Sequence, residues 1–254
     1  DISSNLGVRF QPTRWKQGSE GASHIVSTGV VTNDEGLDFF VKSGSLGEYE
    51  MFAAEFEGIS EIYGTKTIRV PRPVSKGSAN SIAYVVFEKL SLGGRADPAK
   101  YADKLIAMHQ CSPPNGTFGW KRNNTIGPTF QPNNYCSTWV EFWDKYRLGH
   151  MIQLARAEGA AFPNEGKLRE KVKTLLEQHS CSPSLLHGDL WSGNQGATTE
   201  GEPVIFDPSV YYGDREVDIA MTKLFGSNSK AFYERYQELW PLPPGYEIRE
   251  VIYN

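Results

Sequence analysis

The segment that decides the fold reads Leu185-Leu186-His187-Gly188-Asp189-Leu190-Trp191-Ser192-Gly193-Asn194 and is followed by Pro203-Val204-Ile205-Phe206-Asp207-Pro208. An apolar pair runs into a polar turn that holds Asp189 and Asn194, five positions apart. A short apolar run, typical of a strand, then delivers Asp207 thirteen positions after Asn194. Asp, Asn and Gly also dominate ordinary turns, so either cluster alone would be compatible with a simple hairpin. The order and separation of the two clusters favour a catalytic interpretation.

Two carboxylates and an amide at this spacing are the residue types that phosphoryl transfer requires. One carboxylate accepts the proton of the attacking hydroxyl, while an amide and a second carboxylate hold Mg²⁺ on the phosphates. The sequence therefore predicts Asp189 as the base and Asn194 and Asp207 as the Mg²⁺ ligands. This spacing is that of the catalytic and metal loops of protein-kinase-like folds. His187-Gly188-Asp189, where protein kinases have His-Arg-Asp, indicates the branch that phosphorylates small molecules.

A lysine motif lies upstream in the expected order. Lys42 ends an apolar run typical of a strand, and residues 46–63 have the periodicity of a helix. Glu55 falls on the apolar face of that helix, where a carboxylate is costly unless it finds a partner. We therefore predict an ion pair between Lys42 and Glu55, the pair that positions ATP phosphates in kinases. The alternative is a solvated helix glutamate.

A small, polar segment at residues 16–23 contains Gly18 and Gly21. We predict a turn between two strands here, whose backbone N–H groups approach the phosphates of a nucleotide. Gly-x-x-Gly is a weak motif, and a plain hairpin turn would be the preferred interpretation without the other motifs. Residues 1 to about 15 show no periodicity and are predicted to be a lead-in without regular structure.

The fold predicted from these elements is α+β and bilobal, with a small antiparallel sheet followed by a mainly helical lobe. Two further strands are predicted at residues 67–71 and 81–88, separated by a Ser/Gly turn. The hinge follows at residues 87–90, where backbone groups at Glu88 and Leu90 would hydrogen-bond the adenine of ATP. The predicted boundary separates a nucleotide-binding lobe, residues 1–90, from a catalytic and substrate lobe, residues 91–254.

Helices are predicted along most of the second lobe. Asp97-Pro98 has the form of an N-cap followed by a first-turn proline, and Thr138 begins a capping box. Residues 111–135 are rich in Gly, Asn and Pro and are predicted to form a long loop, a type of segment that is often functional. Further helices are expected over residues 167–179, 214–225 and 229–239.

Composition limits the classes of function. The net charge of −4 gives no support for nucleic-acid binding, which usually shows a basic stripe. The three cysteines, Cys111, Cys136 and Cys181, contain no Cys-x-x-Cys pair. This pattern argues against a disulfide framework and a zinc site, and it fits a reducing compartment. We expect no membrane segment and a cytoplasmic protein. Because the chain begins at Asp1, a targeting segment removed upstream would instead place it in a plastid or another organelle.

With these residues in view, the sequence resembles the fructosamine-3-kinase/ketosamine-3-kinase family. The resemblance covers nearly the whole chain from about residue 16. It is strongest in the two clusters quoted above and in the segment Tyr211-Tyr212-Gly213-Asp214-Arg215-Glu216-Val217-Asp218 with Leu224-Phe225-Gly226. Softer matches are Phe40-Val41-Lys42, the Glu55 helix, Arg69-Val70-Pro71-Arg72-Pro73, Phe118-Gly119-Trp120, Asn124-Thr125-Ile126-Gly127, Gln131, Asn133, Trp139, Phe142 and Arg147-Leu148.

The resemblance implies an ATP-dependent kinase that phosphorylates the 3-hydroxyl of ketoamine sugars on protein lysines or on free ketoamines. The 3-phosphate makes the adduct unstable, so the family would repair glycated proteins. By position, Lys42 would contact phosphate with Glu55 as its partner, and His187 would brace the catalytic loop. Trp191 would pack on the sugar, for which the alternative is a core tryptophan. A monomer or weak homodimer is expected.

Two departures from the family pattern stand out. Some members of the family carry a cysteine in the Gly-rich loop that permits redox-controlled dimerisation. Residues 18–23 contain no cysteine, which puts such dimerisation in doubt for this chain. The family usually continues for some dozens of residues beyond a segment like residues 245–253, so a C-terminally truncated chain is expected. Two other functions stay open from the residues themselves. One is a kinase of another small alcohol or amino sugar, such as choline or an aminoglycoside, and the other is a pseudokinase that binds without turnover.

Overall fold

The computed structural model describes residues 11–20 and 26–254. Its N-terminal part is a five-stranded antiparallel sheet. The strands are β1 (Pro12–Glu20), β2 (Ser27–Asn33), β3 (Asp38–Ser45), β4 (Pro73–Ala79) and β5 (Ile82–Glu88), and their order in the sheet is β1-β2-β3-β5-β4. The apolar run that carries Lys42 is the central strand β3, which pairs with β2 on one side and β5 on the other.

One helix covers this sheet. A 3₁₀ turn (Leu46–Glu48), capped by the Ser45 hydroxyl, leads into α1 (Tyr49–Thr65). The helix buries Phe52, Ile59 and Ile62 and ends at Lys66 in the left-handed conformation. The predicted helix over residues 46–63 is therefore confirmed, with a first turn of 3₁₀ type.

The structure overturns several predictions at the sheet. Residues 67–71 form no strand, since Arg69 makes only an isolated bridge to Val204. The segment predicted as a Ser/Gly turn contains the whole of β4, which pairs with β5 from Pro73 to Ala79. Pairing along the full length of β5, with Val74 and Ser75 buried, overrides the low strand propensity of Ser and Gly. Residues 12–15 likewise belong to β1 and are not an irregular lead-in.

The second half is mainly helical. Its helices are α2 (Pro98–His109), α3 (Trp139–Trp143), a π-helical turn (Asp144–Leu148), α4 (Gly149–Ala157), α5 (Glu165–Glu177), α6 (Glu216–Leu224), α7 (Lys230–Leu239) and α8 (Tyr246–Tyr253). Asp97 and Thr138 cap α2 and α3 through their side chains, as the sequence predicted. The helix α8 was not predicted.

Short two-stranded pairings position the loops between these helices. The strand β8 (Ser184–Leu186) pairs with β11 (Tyr211–Gly213), and β9 (Gln195–Ala197) pairs with β10 (Pro203–Ile205). The predicted loop over residues 111–135 contains a hairpin of β6 (Asn124–Ile126) and β7 (Thr129–Gln131). Strands of three residues give almost no periodicity, which explains why the sequence predicted only a loop.

An aromatic cluster forms the core of the helical half. Trp139 stacks on Phe142 at 5.6 Å between ring centroids, and Phe142 stacks on Tyr211 at 5.5 Å. The Trp139 indole N–H donates to the Tyr253 hydroxyl at 3.0 Å, and this hydroxyl donates to Asp214 at 2.7 Å. The cluster joins α3, β11 and the C-terminal helix α8.

We predict that Phe142→Ala lowers the free energy of unfolding by about 3–5 kcal/mol, because it opens a cavity among these rings. Urea denaturation followed by circular dichroism measures the change. Phe225→Ala is the matched control, since Phe225 is 65% exposed whereas Phe142 is fully buried. The control should change stability by about 0.5 kcal/mol or less. Equal losses in the two variants would contradict this description of the core.

Candidate active site

The predicted catalytic loop, residues 187–194, directly follows the buried strand β8. Leu185 and Leu186 of β8 are fully buried, and the chain turns at Gly188, whose φ is +81°. A β-carbon at Gly188 would clash with the carbonyl oxygen of Ser209, so glycine is required there. The turn directs Asp189 into a cleft that Asn194 and Asp207 also line. The structure thus brings together the three residues that the sequence selected as base and metal ligands.

A buried carboxylate holds this turn from below. Asp218 on α6 accepts the backbone N–H groups of His187 at 2.7 Å and of Gly188 at 2.9 Å. It also lies 3.1 Å from His109 Nε2, and His109 Nδ1 lies 2.9 Å from the Tyr236 hydroxyl. Burial alone would raise the pKa of Asp218, but its contacts with His109, His187 and Gly188 keep the pKa below its usual value.

His187 connects the catalytic loop to the predicted metal loop, residues 206–208, which contains Asp207. Its Nδ1 accepts the Asp189 N–H at 3.2 Å, so its Nε2 carries the proton and donates to the Phe206 carbonyl at 2.9 Å. Burial lowers the pKa of His187, which favours this neutral form. These contacts place His187 between the two loops, where the resemblance implied a bracing residue.

Asp189 and Asn194 are in direct contact. The Asn194 side-chain amide donates to Asp189 Oδ2 at 2.9 Å and to the Asp189 carbonyl at 2.8 Å. Burial raises the pKa of Asp189, and the charges of Asp218 and Asp207 raise it further, against the opposing effects of His187 and Asn194. A carboxylate with a raised pKa is a better proton acceptor than an exposed aspartate.

Lys42 lies between two carboxylates. Its Nζ is 2.7 Å from Glu55 Oε1 and 2.9 Å from Asp207 Oδ1. The predicted pair of Lys42 and Glu55 is therefore present, and the metal-loop carboxylate joins it. Burial by itself would lower the pKa of Lys42, but the two carboxylates raise it above its usual value, so the ammonium remains charged.

Two neighbouring cavities have lining residues in common next to Lys42. The larger, about 540 Å³, contains Lys42, Asp189, Trp191, Asn194 and Asp207. The smaller, about 380 Å³, is mostly apolar and lies at the predicted hinge. Phe40, Glu55 and Asp207 line both, and the smaller is otherwise lined by Ile59, Pro71, Phe87, Glu88, Lys89, Leu90, Leu92 and Phe206.

Glu88 and Leu90, predicted to bind adenine through the backbone, both line the smaller cavity. The Glu88 carboxylate is held by the Arg69 guanidinium at 2.5 Å and by the Arg72 N–H at 3.0 Å. That carboxylate is therefore already engaged, and the Glu88 N–H donates to the Arg72 carbonyl at 2.9 Å, so a ligand at this edge would meet the remaining backbone groups.

The two predicted glycines have different outcomes. Gly18 lies within β1 and not in a turn, so the turn predicted over residues 16–23 is wrong at that position. The pairing of β1 with β2 extends to Glu20 opposite Ser27, which shortens the connection. Gly21 lies outside the described residues.

Trp191 is not a core residue. It is 36% exposed and lines the larger cavity next to Asp189. A β-carbon at Gly193 would clash with the indole, so the ring lies against the backbone of the loop at that point. Phe225 meets the indole edge-on at 5.9 Å between centroids.

The sequence did not assign the residues that place the β6–β7 hairpin at the cleft. Three buried amides, Asn124, Gln131 and Asn133, hydrogen-bond one another through the Asn124 side-chain oxygen at 2.8 Å. Asn124 also donates to the Val210 carbonyl at 2.8 Å, and Gln131 donates to the Ser209 carbonyl at 3.2 Å. This network ties the hairpin to the segment after Asp207, and the hairpin residues Thr125, Gly127 and Pro128 line the larger cavity.

Weak signals for these residues existed in the sequence. Asn124, Gln131, Asn133 and Asp218 all lie in segments that resemble the kinase family. Nothing local showed that they would be buried and would contact the catalytic or metal loop.

Comparison with known proteins places the chain in a family. A family model described as fructosamine kinase matches residues 2–254. The chain belongs to the fructosamine kinase family. A Synechocystis protein described as a ketoamine kinase is 41% identical, covering 100% of this chain and 85% of that protein. The chloroplastic protein-ribulosamine 3-kinase of Arabidopsis thaliana is 37% identical over 94% of this chain and 74% of its own length.

The fold agrees with that assignment. A crystal structure described as a fructosamine-3-kinase from Haemophilus somnus 129PT superimposes with a TM-score of 0.91 at 28% identity. The match covers 99% of this chain and 84% of that one. The α+β kinase-like fold, the phosphotransferase class and the ketosamine-kinase function predicted from the sequence are thereby confirmed, and the family implies the use of ATP. Among the described residues, no helix has the length and apolarity needed to cross a bilayer.

We predict that Asp218→Asn lowers the free energy of unfolding at pH 7 by about 2–4 kcal/mol, because two backbone N–H groups and His109 lose a charged partner. The folded-state pKa of Asp218 is depressed, so its contribution is fully present above the unfolded value, about pH 3.9, and is lost as the pH falls below it. The difference between wild type and variant should therefore shrink on acidification.

Denaturant titrations from pH 7 down to pH 3 measure this difference. Asp103→Asn serves as the control, because Asp103 is a partly exposed partner of Arg235 whose loss should cost about 1 kcal/mol or less. A loss in Asp218→Asn no larger than in the control would refute the bracing role.

Proposed function

We propose that the protein transfers the γ-phosphoryl group of ATP to the 3-hydroxyl of a ketosamine attached to a lysine side chain. The observation that carries the proposal is the convergence of Lys42, Asp189, Asn194 and Asp207 on one cleft that adjoins an apolar cavity. The residues that handle phosphate and those that face an acceptor therefore line a continuous site. Residues 1–90 are the proposed nucleotide lobe and residues 91–254 the proposed catalytic and substrate lobe.

The smaller cavity supports a role as the adenine site. Its apolar lining, with Ile59, Phe87 and Phe206, suits a flat aromatic base. Backbone groups at Glu88 and Leu90 would hydrogen-bond the base edge. From there the triphosphate would extend toward Lys42, whose ammonium is held by Glu55 and is positioned to contact phosphate oxygens.

The donor set of the metal loop fits Mg²⁺. Asp207 offers a half-exposed carboxylate, and the Asn194 amide nitrogen is engaged by Asp189, which leaves its oxygen available. Both are oxygen donors of the kind that Mg²⁺ takes beside substrate phosphates. Bound there with ATP, Mg²⁺ would neutralise charge on the phosphates.

Asp189 is the proposed base. Asn194 fixes its carboxylate, and His187 and Asp218 fix its backbone, so that it faces the acceptor hydroxyl. The proton of the acceptor hydroxyl passes to Asp189 while the oxygen of that hydroxyl bonds to the γ-phosphorus. The bond from the γ-phosphorus to the bridging oxygen of ADP breaks. The charged Lys42 offsets negative charge on the phosphates during this exchange.

The remaining wall of the larger cavity suits a sugar. The exposed indole of Trp191 lies next to the base and offers an apolar face to the ring carbons of a ketose. The cleft is open to solvent, which is compatible with an acceptor carried on a protein. Phosphorylation at the 3-position would labilise the adduct and so repair glycated protein. The three free cysteines are consistent with the proposed reducing location, cytoplasm or plastid.

The decisive experiment measures phosphate transfer from Mg-ATP to N-α-protected ribulosyl-lysine and fructosyl-lysine, with choline and kanamycin as competing acceptor classes. We expect phosphorylation of the sugar-lysine adducts alone, with the product shown by NMR to carry its phosphate on the 3-oxygen. Transfer to choline or kanamycin would assign a different acceptor, and nucleotide binding without any transfer would indicate a pseudokinase.

We predict that Asp189→Asn lowers kcat for ketosamine phosphorylation by about 10²–10⁴-fold, because the base is lost, while the Kd for Mg-ATP stays nearly unchanged. Stopped-assay kinetics and calorimetric titration measure the two quantities. Asp34→Asn, a change in an exposed hairpin turn, is the control and should leave both unchanged. Turnover near wild type in Asp189→Asn would refute the assignment of the base.

We predict a different pattern for Asp207→Asn. This change removes one proposed Mg²⁺ ligand and one partner of Lys42, so the Kd for ATP should rise in the presence of Mg²⁺ and lose its dependence on the metal. Calorimetric titration with and without Mg²⁺ measures this. A nucleotide affinity that still responds to Mg²⁺ as in wild type would contradict the role of Asp207.

A further inference from the structure

Three side chains of different donor types meet outside the catalytic cleft. They are the imidazole Nε2 or Nδ1 of His179, the thiol of Cys181 and a carboxylate oxygen of Asp214, all within 4.8 Å of one another. His179 and Cys181 lie between α5 and β8, and Asp214 lies between β11 and α6. The kinase mechanism proposed above uses none of them.

The donor set is that of a transition-metal site. Zinc takes imidazole nitrogen, thiolate sulfur and carboxylate oxygen at about 2.0–2.3 Å in a tetrahedral arrangement, so that two ligand atoms lie about 3.5 Å apart. His179 Nε2 and Asp214 Oδ2 are 2.8 Å apart in the structure, within small adjustments of that spacing. Oxygen-preferring Mg²⁺ is unsuited to a thiol-containing set.

A cavity opens at these residues. Its volume is about 320 Å³, and it is lined by His179, Cys181 and Asp214 together with Ser112, Trp240 and Pro243. Because a water occupies about 30 Å³ of liquid volume, the cavity has room for a metal-bound water as a fourth ligand and for exchange with solvent.

The electrostatics favour a cation here. The Cys181 thiol is partly buried and lies near the carboxylates of Asp214 and Glu216, whose negative charges attract a cation. Arg249 is already engaged in a double hydrogen bond to Glu216, at 2.6 and 2.7 Å. Arg215 donates to the carbonyls of Trp240 and Pro241. The two nearby guanidinium groups are thus held by other acceptors.

We propose that His179, Cys181 and Asp214 bind one Zn²⁺ ion, with a water in the fourth position. On binding, the Cys181 thiol releases its proton to solvent, and His179 presents the lone pair of Nε2 with its ring proton on Nδ1. The Tyr253 hydroxyl, which donates to Asp214 and accepts from Trp139, supplies the outer hydrogen bond that typically orients a ligating carboxylate.

The ion would link two separate segments of the fold. It would join the segment before β8 to the residue after β11, and these two strands pair with each other, with Leu186 opposite Tyr211. Because β8 leads directly into His187 and Asp189, the ion would stiffen the base of the catalytic loop. The lack of a Cys-x-x-Cys pair does not exclude this site, because Asp214 reaches the other two ligands only through the fold.

Cobalt titration tests the site without requiring any kinase activity. Co²⁺ bound to a thiolate shows a ligand-to-metal charge-transfer absorption, which the oxygen donors Asn194 and Asp207 of the cleft do not produce. We expect this band at one Co²⁺ per chain and its loss on addition of Zn²⁺. Zn²⁺ at a hundred times its Kd should raise the Tm by about 5 °C or more.

Variants locate the site. Cys181→Ser should abolish the charge-transfer band, whereas Cys111→Ser, a change at another partly buried free cysteine, should keep it. His179→Gln should keep the thiolate but weaken metal binding by at least about tenfold. Circular dichroism verifies that each variant is folded, and His179→Gln decides the question should the serine variant unfold. No band in the wild type, a band that persists in Cys181→Ser, or undiminished affinity in His179→Gln would overturn the proposal.

Discussion

The two halves of the site depend on the ion pairs of Lys42. A buried ammonium is costly unless carboxylates surround it, and Lys42 is only 12% exposed. Its partners come from different parts of the chain, since Glu55 is on the helix that covers the sheet and Asp207 is in the loop of the helical half. The cost of leaving Lys42 unpaired therefore holds the sheet and the metal loop in one relative position. The phosphates of ATP would therefore meet an ammonium group that is already in position.

The catalytic loop has a comparable support made of buried polar groups. The Asp218 carboxylate accepts hydrogen bonds from two backbone N–H groups of the turn, and the His187 ring donates to the Phe206 carbonyl. Each group is satisfied only when the loop has this geometry, and an unsatisfied buried group costs about 1–3 kcal/mol. The position of Asp189 is thus set by its backbone and by Asn194.

The sequence predicted the residues that meet in the cleft better than it predicted the residues that support them. Asp189, Asn194 and Asp207 lie within nineteen residues and have a fixed spacing, so a local pattern identifies them. The pair of Lys42 and Glu55 could be inferred because a carboxylate on an apolar helix face requires a partner. Asp218 and Asn133 carry no such local signal, since their partners are far along the chain. The strand β4 was missed for the same reason, because β5 and not its own composition makes Pro73–Ala79 extended.

The four polar residues of the cleft alone cannot select the acceptor. In the proposed mechanism, Lys42, Asn194 and Asp207 would face phosphate, and Asp189 would accept a proton from whatever hydroxyl is presented to it. Selection must therefore come from the walls of the cleft, which include Trp191 and the tip of the β6–β7 hairpin. The hairpin is held to the metal loop by buried amides and by the Ser209 hydroxyl, which donates to the Thr125 carbonyl at 2.7 Å. A change of sugar preference within this fold would accordingly require changes in the hairpin tip or around the indole, with the amide network left intact, because loss of that network would move the residues after Asp207 as well.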